Sequence, residues 1–232
     1  GMDENYAVTS QIWESYQRHP RFEPSKLQKE LVDSGHLGRK SGKGFFEYVE
    51  NSENAVVQNS APNYFIIEGS GHLPDSLRKL LEGSSVNTEN TFGNGYIRLP
   101  EGSVIVPSNG KSSTDRSVEI RQSVISLDLC LDFEQTPRIV LAPSFECLEF
   151  VFQQAIGLFQ SLGKEVSVIK DIAGMVLTHT VAMLANEASL LVQEKVADAA
   201  GVNLDICKGV NYPVGPLEWA EQWGWNSVVE TI

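Results

Sequence analysis

The fold of this chain is decided near its middle, at Tyr64-Phe65-Ile66-Ile67-Glu68-Gly69-Ser70-Gly71-His72-Leu73-Pro74. An apolar run typical of a strand ends at two glycines, and leucines at helical spacing follow from Leu77 onward. A dinucleotide-binding turn has the same order but needs a third glycine, so that helix and strand can pack closely. Pro74 stands at that third position and has no N–H to offer a phosphate. The stretch therefore predicts an α/β unit with an ordinary strand-to-helix turn.

Strand and helix patterns continue to alternate after this turn. Strand-like apolar runs come at 96–99, 104–106, 124–131, 138–141 and 166–169, and the apolar spacing between Leu148 and Leu162 is helical. The stretch from Pro107 to Ser117 is rich in Ser, Gly and Asn and is interpreted as a loop. This alternation predicts an open α/β sheet, which we assign to residues 63–171.

The pattern from residue 172 to residue 232 is wholly helical and predicts an all-α domain. Its first helix carries one apolar stripe, at Leu177, Val181, Leu184, Ala188 and Leu191. Asn203 or Asp205 is expected to cap a short second helix. The rigid turn at 209–216 then starts a further helix.

The first part of the chain predicts a short helical arm, residues 1–49. Helical spacing covers 6–18 and 25–32, and a proline separates the two segments. Residues 50–62 are polar and without periodicity, so we interpret them as a linker. Because the chain begins almost directly in a helical pattern, we expect that it starts inside a domain.

A basic, glycine-rich loop ends the arm, at Gly38-Arg39-Lys40-Ser41-Gly42-Lys43-Gly44. Backbone amides together with Arg39, Lys40 and Lys43 can hold a phosphate in such a loop. Ordinary solvated surface charge explains the same residues, and from the residues alone that interpretation is favoured. Both alternatives stay open at this point.

Composition excludes several classes of protein. The formal net charge of −12 repels phosphate backbones, so we expect no nucleic-acid partner. No apolar run approaches the roughly 18 residues of a membrane helix, and the acidic start does not fit a signal peptide. The three cysteines form no C-x-x-C pair, which indicates reduced thiols in a cytoplasmic protein.

The four histidines show no metal or hydrolase pattern. His19, His36, His72 and His179 form no H-E-x-x-H motif, and the chain has no G-x-S-x-G elbow. His179 is interpreted as a histidine that is hydrogen-bonded at a domain interface. We therefore predict no metal site.

Two stretches of the chain carry a resemblance to a known family. The first runs from Asp3 through Arg21-Phe22-Glu23-Pro24 to LGRKSGKGFF at 37–46. It is similar to the signature that closes the helical domain of 3-hydroxyacyl-CoA dehydrogenases. The second runs from 171–175 through Asn186-Glu187-Ala188 to 209–218 and looks like a second copy of that domain. Two copies joined by an α/β segment are typical of the long bacterial enzymes. Those enzymes include the 3-hydroxybutyryl-CoA and 3-hydroxyadipyl-CoA dehydrogenases of phenylacetate breakdown.

The resemblance implies hydride transfer from a 3-hydroxyacyl-CoA thioester to NAD. In the family a histidine takes the hydroxyl proton, and a glutamate twelve positions later orients it. The residues twelve after the four histidines here are Leu31, Tyr48, Ser84 and Leu191, so this pair is absent from the chain. The family also has an asparagine in GFIVNR, and Thr178 stands at its place in the second copy. We therefore expect no catalytic residue in this chain, and a second copy that is degenerate.

The fold expected from this resemblance is a reduced Rossmann-like α/β domain followed by the helical C-terminal domain of these dehydrogenases. NAD is expected in the full-length enzyme and no cofactor in this chain, and Arg39, Lys40 and Lys43 are expected near the CoA phosphates. The helical domain dimerises in shorter relatives, so the second copy is expected to mimic a partner subunit, and homo-oligomers remain possible. A stand-alone, non-catalytic binding or interaction module is the alternative.

Overall fold

The computed structural model describes residues 1–48 and 57–232, and the chain divides into two units, Gly1–Val56 and Val57–Ile232. Part of the linker expected at 50–62 lies outside the described residues. Its remaining part runs beside a helix of the second unit. There the side chain of Gln160 accepts the N–H of Asn59 at 2.8 Å and donates to the carbonyl of Val57 at 2.9 Å.

The described part of the first unit, residues 1–48, contains two helices and the basic loop. Helix α1 spans Met2–Ser15 and helix α2 spans Lys26–Asp33. A 3-10 turn at Pro20–Phe22 separates them, and a second one, at Arg39–Ser41, lies in the loop. The side chain of Ser25 accepts the N–H of Gln28 and so caps α2, which is the role that serine commonly has at this position.

The second unit begins with a seven-stranded sheet among the described residues. The strands are β1 (Tyr64–Glu68), β2 (Asn87–Thr91), β3 (Tyr96–Arg98), β4 (Val104–Pro107), β5 (Val124–Leu127), β6 (Arg138–Pro143) and β7 (Glu165–Val168). Their order is β2-β1-β3-β4-β5-β6-β7. The pairs β1/β2, β4/β5 and β6/β7 are parallel, and the other neighbours are antiparallel.

Helices connect the parallel pairs and cover the sheet, as connections between parallel strands require. They are α3 (Asp75–Glu82), α4 (Ser113–Ile120) and α5 (Glu149–Ser161). The main core lies between the sheet and the helices and includes Phe65, Ile67, Leu77, Ile125, Leu141 and Phe159, each fully buried. The predicted α/β sheet is thus confirmed.

Two details of the α/β part differ from the sequence prediction. Residues 107–117 were expected to form a loop, but α4 begins at Ser113, where the side chain of Ser112 and the carboxylate of Asp171 accept its first free N–H groups. The strand β2 was not predicted, because its five residues are polar and exposed and show no apolar pattern. It forms the edge of the sheet, where a polar strand is well tolerated.

The second unit ends in four helices: α6 (Leu177–Gln193), α7 (Ala199–Gly209), α8 (Pro216–Trp223) and α9 (Trp225–Thr231). Helix α6 lies at the centre and contacts the other three. The side of α6 that is buried carries Thr178, Val181, Ala182, Ala185 and Ala188. The predicted stripe is therefore only partly correct, because Leu191 is 40% exposed.

The predicted cap of α7 is wrong. Asp198 caps this helix, with the N–H of Gly201 donating to its carboxylate at 2.7 Å, whereas Asn203 and Asp205 lie inside the helix. The side chain of Asn203 instead accepts the N–H of Leu217 at 3.0 Å. Asn203 therefore caps the start of α8 from a neighbouring helix, which sequence spacing alone does not reveal.

Candidate functional site

The second unit has a cleft of about 430 Å³ at the carboxyl ends of β1, β4 and β5. In open α/β sheets this edge is where ligands bind, at the point where the strand order reverses. One wall comes from the ends of the strands, with His72, Ser108 and Cys130. The other wall comes from α8, with Trp219 and Trp223. The cleft therefore lies between the sheet and the helical bundle.

The glycine turn after β1 differs from a dinucleotide-binding turn at Pro74. Gly69 has φ of 64°, and a side chain there would meet the backbone of Gly93 at 2.0 Å, so this glycine is explained by packing. A side chain at Gly71 would meet nothing of the chain within 4 Å, so packing does not explain this second glycine. Pro74 precedes the first residue of α3 and offers no N–H to a ligand at the helix start. The ordinary strand-to-helix turn stays a prediction, which Pro74 supports.

Beside the cleft, a buried carboxylate joins the sheet to the helical bundle. Asp128 directly follows β5 and is only 3% exposed. Its Oδ2 accepts the backbone N–H groups of Val176 at 3.1 Å and Leu177 at 2.8 Å. Its Oδ1 accepts the N–H of Thr178 at 2.9 Å and the hydroxyl of Thr178 at 2.7 Å. A carboxylate at the start of a long helix is favourable, because free N–H groups and the helix dipole both point to it.

Thr178 is the residue that stands where the resemblance places an asparagine, and it is fully buried. Its hydroxyl also accepts the N–H of Leu129 at 3.2 Å, so both of its hydrogen-bonding roles are filled within the chain. A side chain in this state has no free polar atom for a ligand. The geometry thus assigns Thr178 to structure.

In the first unit, the three basic residues of the loop lie together, but each has its own contact. The Lys40 ammonium lies 2.6 Å from the carboxylate of Asp3 and 3.5 Å from that of Glu4. Lys43 lies 2.8 Å from Glu47. The guanidinium of Arg39 stacks over the ring of Tyr48 at 5.6 Å. Among the described residues, Arg39 is in no salt bridge, so its N–H groups are the best placed of the three to meet a phosphate.

These contacts change the acidity of the groups involved. The hydrogen bond from Lys40 lowers the pKa of Asp3, and the same bond raises the pKa of Lys40. The hydrogen bond from Lys43 lowers the pKa of Glu47. The carboxylates beside Lys40 and Lys43 offset part of the positive field of the loop.

The remaining candidate groups form no further site. The described residues contain no group of three or more His, Cys, Asp or Glu that could hold a metal ion. The thiols of Cys130 and Cys147 are free, and burial raises the pKa of both. His179 is exposed, and among the described residues no hydrogen bond of its side chain is recorded, contrary to the interpretation above. No helix in the described part of the chain is long and apolar enough to cross a membrane.

Two family models match the chain. The model of the 3-hydroxyacyl-CoA dehydrogenase C-terminal domain matches two separate stretches, residues 1–48 and 174–231. The model of the 3-hydroxybutyryl-CoA dehydrogenase reduced Rossmann-fold domain matches the stretch between them, residues 105–172. The chain belongs to the 3-hydroxyacyl-CoA dehydrogenase family.

Two Escherichia coli dehydrogenases match the chain over its whole length, and a third protein shares its fold. It is 28% identical to 3-hydroxyadipyl-CoA dehydrogenase of Escherichia coli K12, over 100% of this chain and 44% of that protein. A crystal structure of 3-hydroxybutyryl-CoA dehydrogenase from Escherichia coli K12 has a TM-score of 0.73 and 27% identity, with the same two coverages. A crystal structure of (S)-3-hydroxybutyryl-CoA dehydrogenase from Ralstonia eutropha shares the fold, with a TM-score of 0.50 and 16% identity, and covers 66% of this chain and 59% of that one. The chain thus spans less than half the length of its curated dehydrogenase relative.

The comparisons confirm the predicted family and the predicted fold, a reduced Rossmann-type domain followed by a helical dehydrogenase domain. Sequence reasoning missed Asp128, although a signal was present. An aspartate directly after the apolar run Val124–Leu127 stands at the carboxyl end of a buried strand, where a buried carboxylate needs partners. Its partners lie about fifty residues further along the chain, and spacing cannot find them.

Proposed function

We propose that this chain is the C-terminal structural part of an NAD-dependent 3-hydroxyacyl-CoA dehydrogenase. The full-length enzyme would oxidise 3-hydroxyacyl-CoA to 3-oxoacyl-CoA. The observation that carries the proposal is the order of the family matches: helical dehydrogenase domain, reduced Rossmann domain and helical dehydrogenase domain again. The alignment to 44% of a 3-hydroxyadipyl-CoA dehydrogenase supports a parent that is more than twice as long.

In this proposal the chemistry belongs to the part of the parent that lies outside this chain. NAD bound in that part would supply the hydride acceptor for oxidation at the 3-hydroxyl carbon. Residues 1–232 contain no histidine followed after twelve positions by a glutamate, and Pro74 stands where a dinucleotide-binding turn needs its third glycine. The residues of this chain would bind neither NAD nor the reacting carbon and would support the catalytic half instead.

The second helical copy has a role of its own in the proposal. It would replace the helical domain that a partner subunit supplies in shorter enzymes of the family. Its long helix α6 keeps a buried apolar side, while the position of the family asparagine is occupied by the buried Thr178. The other helices of this copy cover the buried side of α6, so the copy keeps its own core. A copy that keeps its fold but has lost a polar family position fits a structural role. We propose a cytoplasmic enzyme, which can still form homo-oligomers.

The basic loop is the proposed contact with the substrate. Arg39, Lys40 and Lys43 would lie near the phosphates of the CoA thioester, an anion that a chain with a net charge of −12 attracts only through a local basic patch. Arg39 carries most of this proposal, because Lys40 and Lys43 already pair with carboxylates. Tyr48 occupies one face of its guanidinium, and within residues 1–48 and 57–232 no carboxylate pairs with its N–H groups, which would bind the phosphate.

An activity assay tests whether the catalytic residues lie outside this chain. We expect the isolated chain to show no reduction of acetoacetyl-CoA when NADH absorbance is followed, because general acid–base help alone contributes about 10²- to 10⁴-fold to rate. The full-length protein from the same reading frame is the matched control and is expected to turn over. Turnover by the isolated chain at the rate of the full-length protein would refute the proposal. A reading frame with no Rossmann domain upstream would favour a stand-alone binding or interaction module.

A further inference from the structure

The buried carboxylate of Asp128 has more partners than a helix cap needs. It accepts five hydrogen bonds: three from the first turn of α6, one from the hydroxyl of Thr178 and one from the N–H of Leu129 at 2.8 Å. An ordinary cap such as Asp198 accepts one recorded hydrogen bond, at an exposed site. Because Asp128 and α6 are separated by 48 to 50 positions, these bonds join two distant parts of the chain.

These contacts hold both walls of the cleft. Leu129, which lines the cleft, is held from one side by Asp128 and from the other by Thr178. Trp219 and Trp223, which form the opposite wall, belong to the apolar cluster that contains Val181 of α6 and Leu129. The position of α6 relative to the end of β5 therefore fixes the distance between the two walls.

We propose that Asp128 sets the width of this cleft, because its hydrogen bonds fix the position of the helical bundle on the sheet. We use the term Asp128 joint for Asp128, Leu129, Val176, Leu177 and Thr178. The inference rests on geometry within the second unit and is independent of the activity of the parent enzyme.

The two oxygens of Asp128 make this proposal specific. Oδ1 and Oδ2 each accept from backbone N–H groups, so both must be acceptors. Asp128→Asn would place an NH₂ group against N–H donors, which leaves buried groups unpaired although the shape is kept. Asp132 provides a matched control four residues away, because only its Oδ1 accepts, from the N–H groups of Glu134 and Gln135. Asparagine can replace that single acceptor.

The test measures thermal unfolding and amide hydrogen exchange of the whole chain. We expect Asp128→Asn to lower the melting temperature by roughly 5 to 15 °C, and Asp132→Asn to lower it by no more than about 2 °C. Exchange in a peptide covering 172–180 should become on the order of tenfold faster in Asp128→Asn, relative to peptides from β4 and β6. Tryptophan emission should shift to longer wavelength as the cleft opens around Trp219 and Trp223.

Thr178→Val tests the same joint with less risk of unfolding. It keeps the side-chain volume and removes only the hydroxyl that bridges Asp128 and Leu129. We expect the same regional pattern of exchange, with a fall in melting temperature of roughly 2 to 6 °C. Equal stability of the Asp128→Asn and Asp132→Asn variants would overturn the proposal. So would a loss of stability in which exchange at 172–180 rises no more than in the sheet.

Discussion

Two aspartates show how differently the two units of this chain use charge. Asp3, in the first unit, is partly exposed and lies against the ammonium of Lys40. Asp128, in the second unit, is buried, and within the described part of the chain its hydrogen-bond partners are N–H and hydroxyl groups and no basic side chain pairs with it. Exposed ion pairs add little to the stability of the fold, because water screens the two charges and two long side chains must be ordered. A buried carboxylate depends on every one of its partners, because an unmatched group cannot turn to water.

The comparison predicts that replacing a carboxylate lowers the free energy of unfolding strongly where its partners are backbone N–H groups. The same replacement should lower it only slightly where the partner is another exposed charge. The largest effect expected after Asp128 is at Asp171. Its Oδ1 accepts the N–H of Ser113 at 2.6 Å and its Oδ2 accepts that of Thr114 at 2.9 Å, which caps α4 from a distant segment.

We expect Asp171→Ala to reduce the free energy of unfolding by about 1 to 3 kcal/mol, because two N–H groups at the helix start lose their acceptor. Urea unfolding followed by circular dichroism measures this. Asp198→Ala, which removes the exposed cap of α7, is the matched control and should cost less. A larger loss of unfolding free energy in Asp198→Ala than in Asp171→Ala would contradict this prediction.

The parts of this molecule that could be predicted from sequence are those with local causes. The strands β1, β4, β5 and β6 show apolar runs, and α5 shows a helical period of apolar residues. In each case the residues that form the pattern are the ones that the element buries. Helix α4 was missed because its segment is polar. It is held by side chains from elsewhere, among them Asp171, and by the hydroxyl of Ser113, which donates to the carbonyl of Ala142.

The candidate site was predicted less well, for the same reason. Local composition identified the basic loop, but it could not show that Lys40 pairs with Asp3, 37 positions earlier. Sequence comparison placed Thr178 at a position that departs from the family, yet only the structure shows that its hydroxyl is bonded to Asp128. Contacts between distant segments are set by the fold, and no periodicity along the chain records them.

An effect of intermediate size is expected on substrate binding by the basic loop in the full-length enzyme. We expect Arg39→Ala to raise KM for the CoA thioester about three- to tenfold with little change in kcat, because a charge-assisted contact with a phosphate is lost at a partly exposed site. Lys43→Ala is the matched control and should change KM less, since Lys43 is already paired with Glu47. Steady-state kinetics at two salt concentrations measure both. An unchanged KM in Arg39→Ala would return the loop to ordinary surface charge.

The smallest effect expected is a change in the pKa of Asp3. The hydrogen bond from Lys40 lowers the pKa of Asp3 in the folded chain, so Lys40→Met should let this pKa rise towards its ordinary value. A carboxyl whose folded pKa is lowered stabilises the fold above its unfolded pKa, and this contribution is lost as the pH falls through the folded value. NMR titration of the Asp3 carboxyl carbon measures the shift. Lys29→Met, which removes the partner of Asp33, is the control and should leave Asp3 unchanged. If Asp3 titrates alike in all three proteins, the ion pair with Lys40 does not persist in solution, and the field of the basic loop is stronger than the pairing implies.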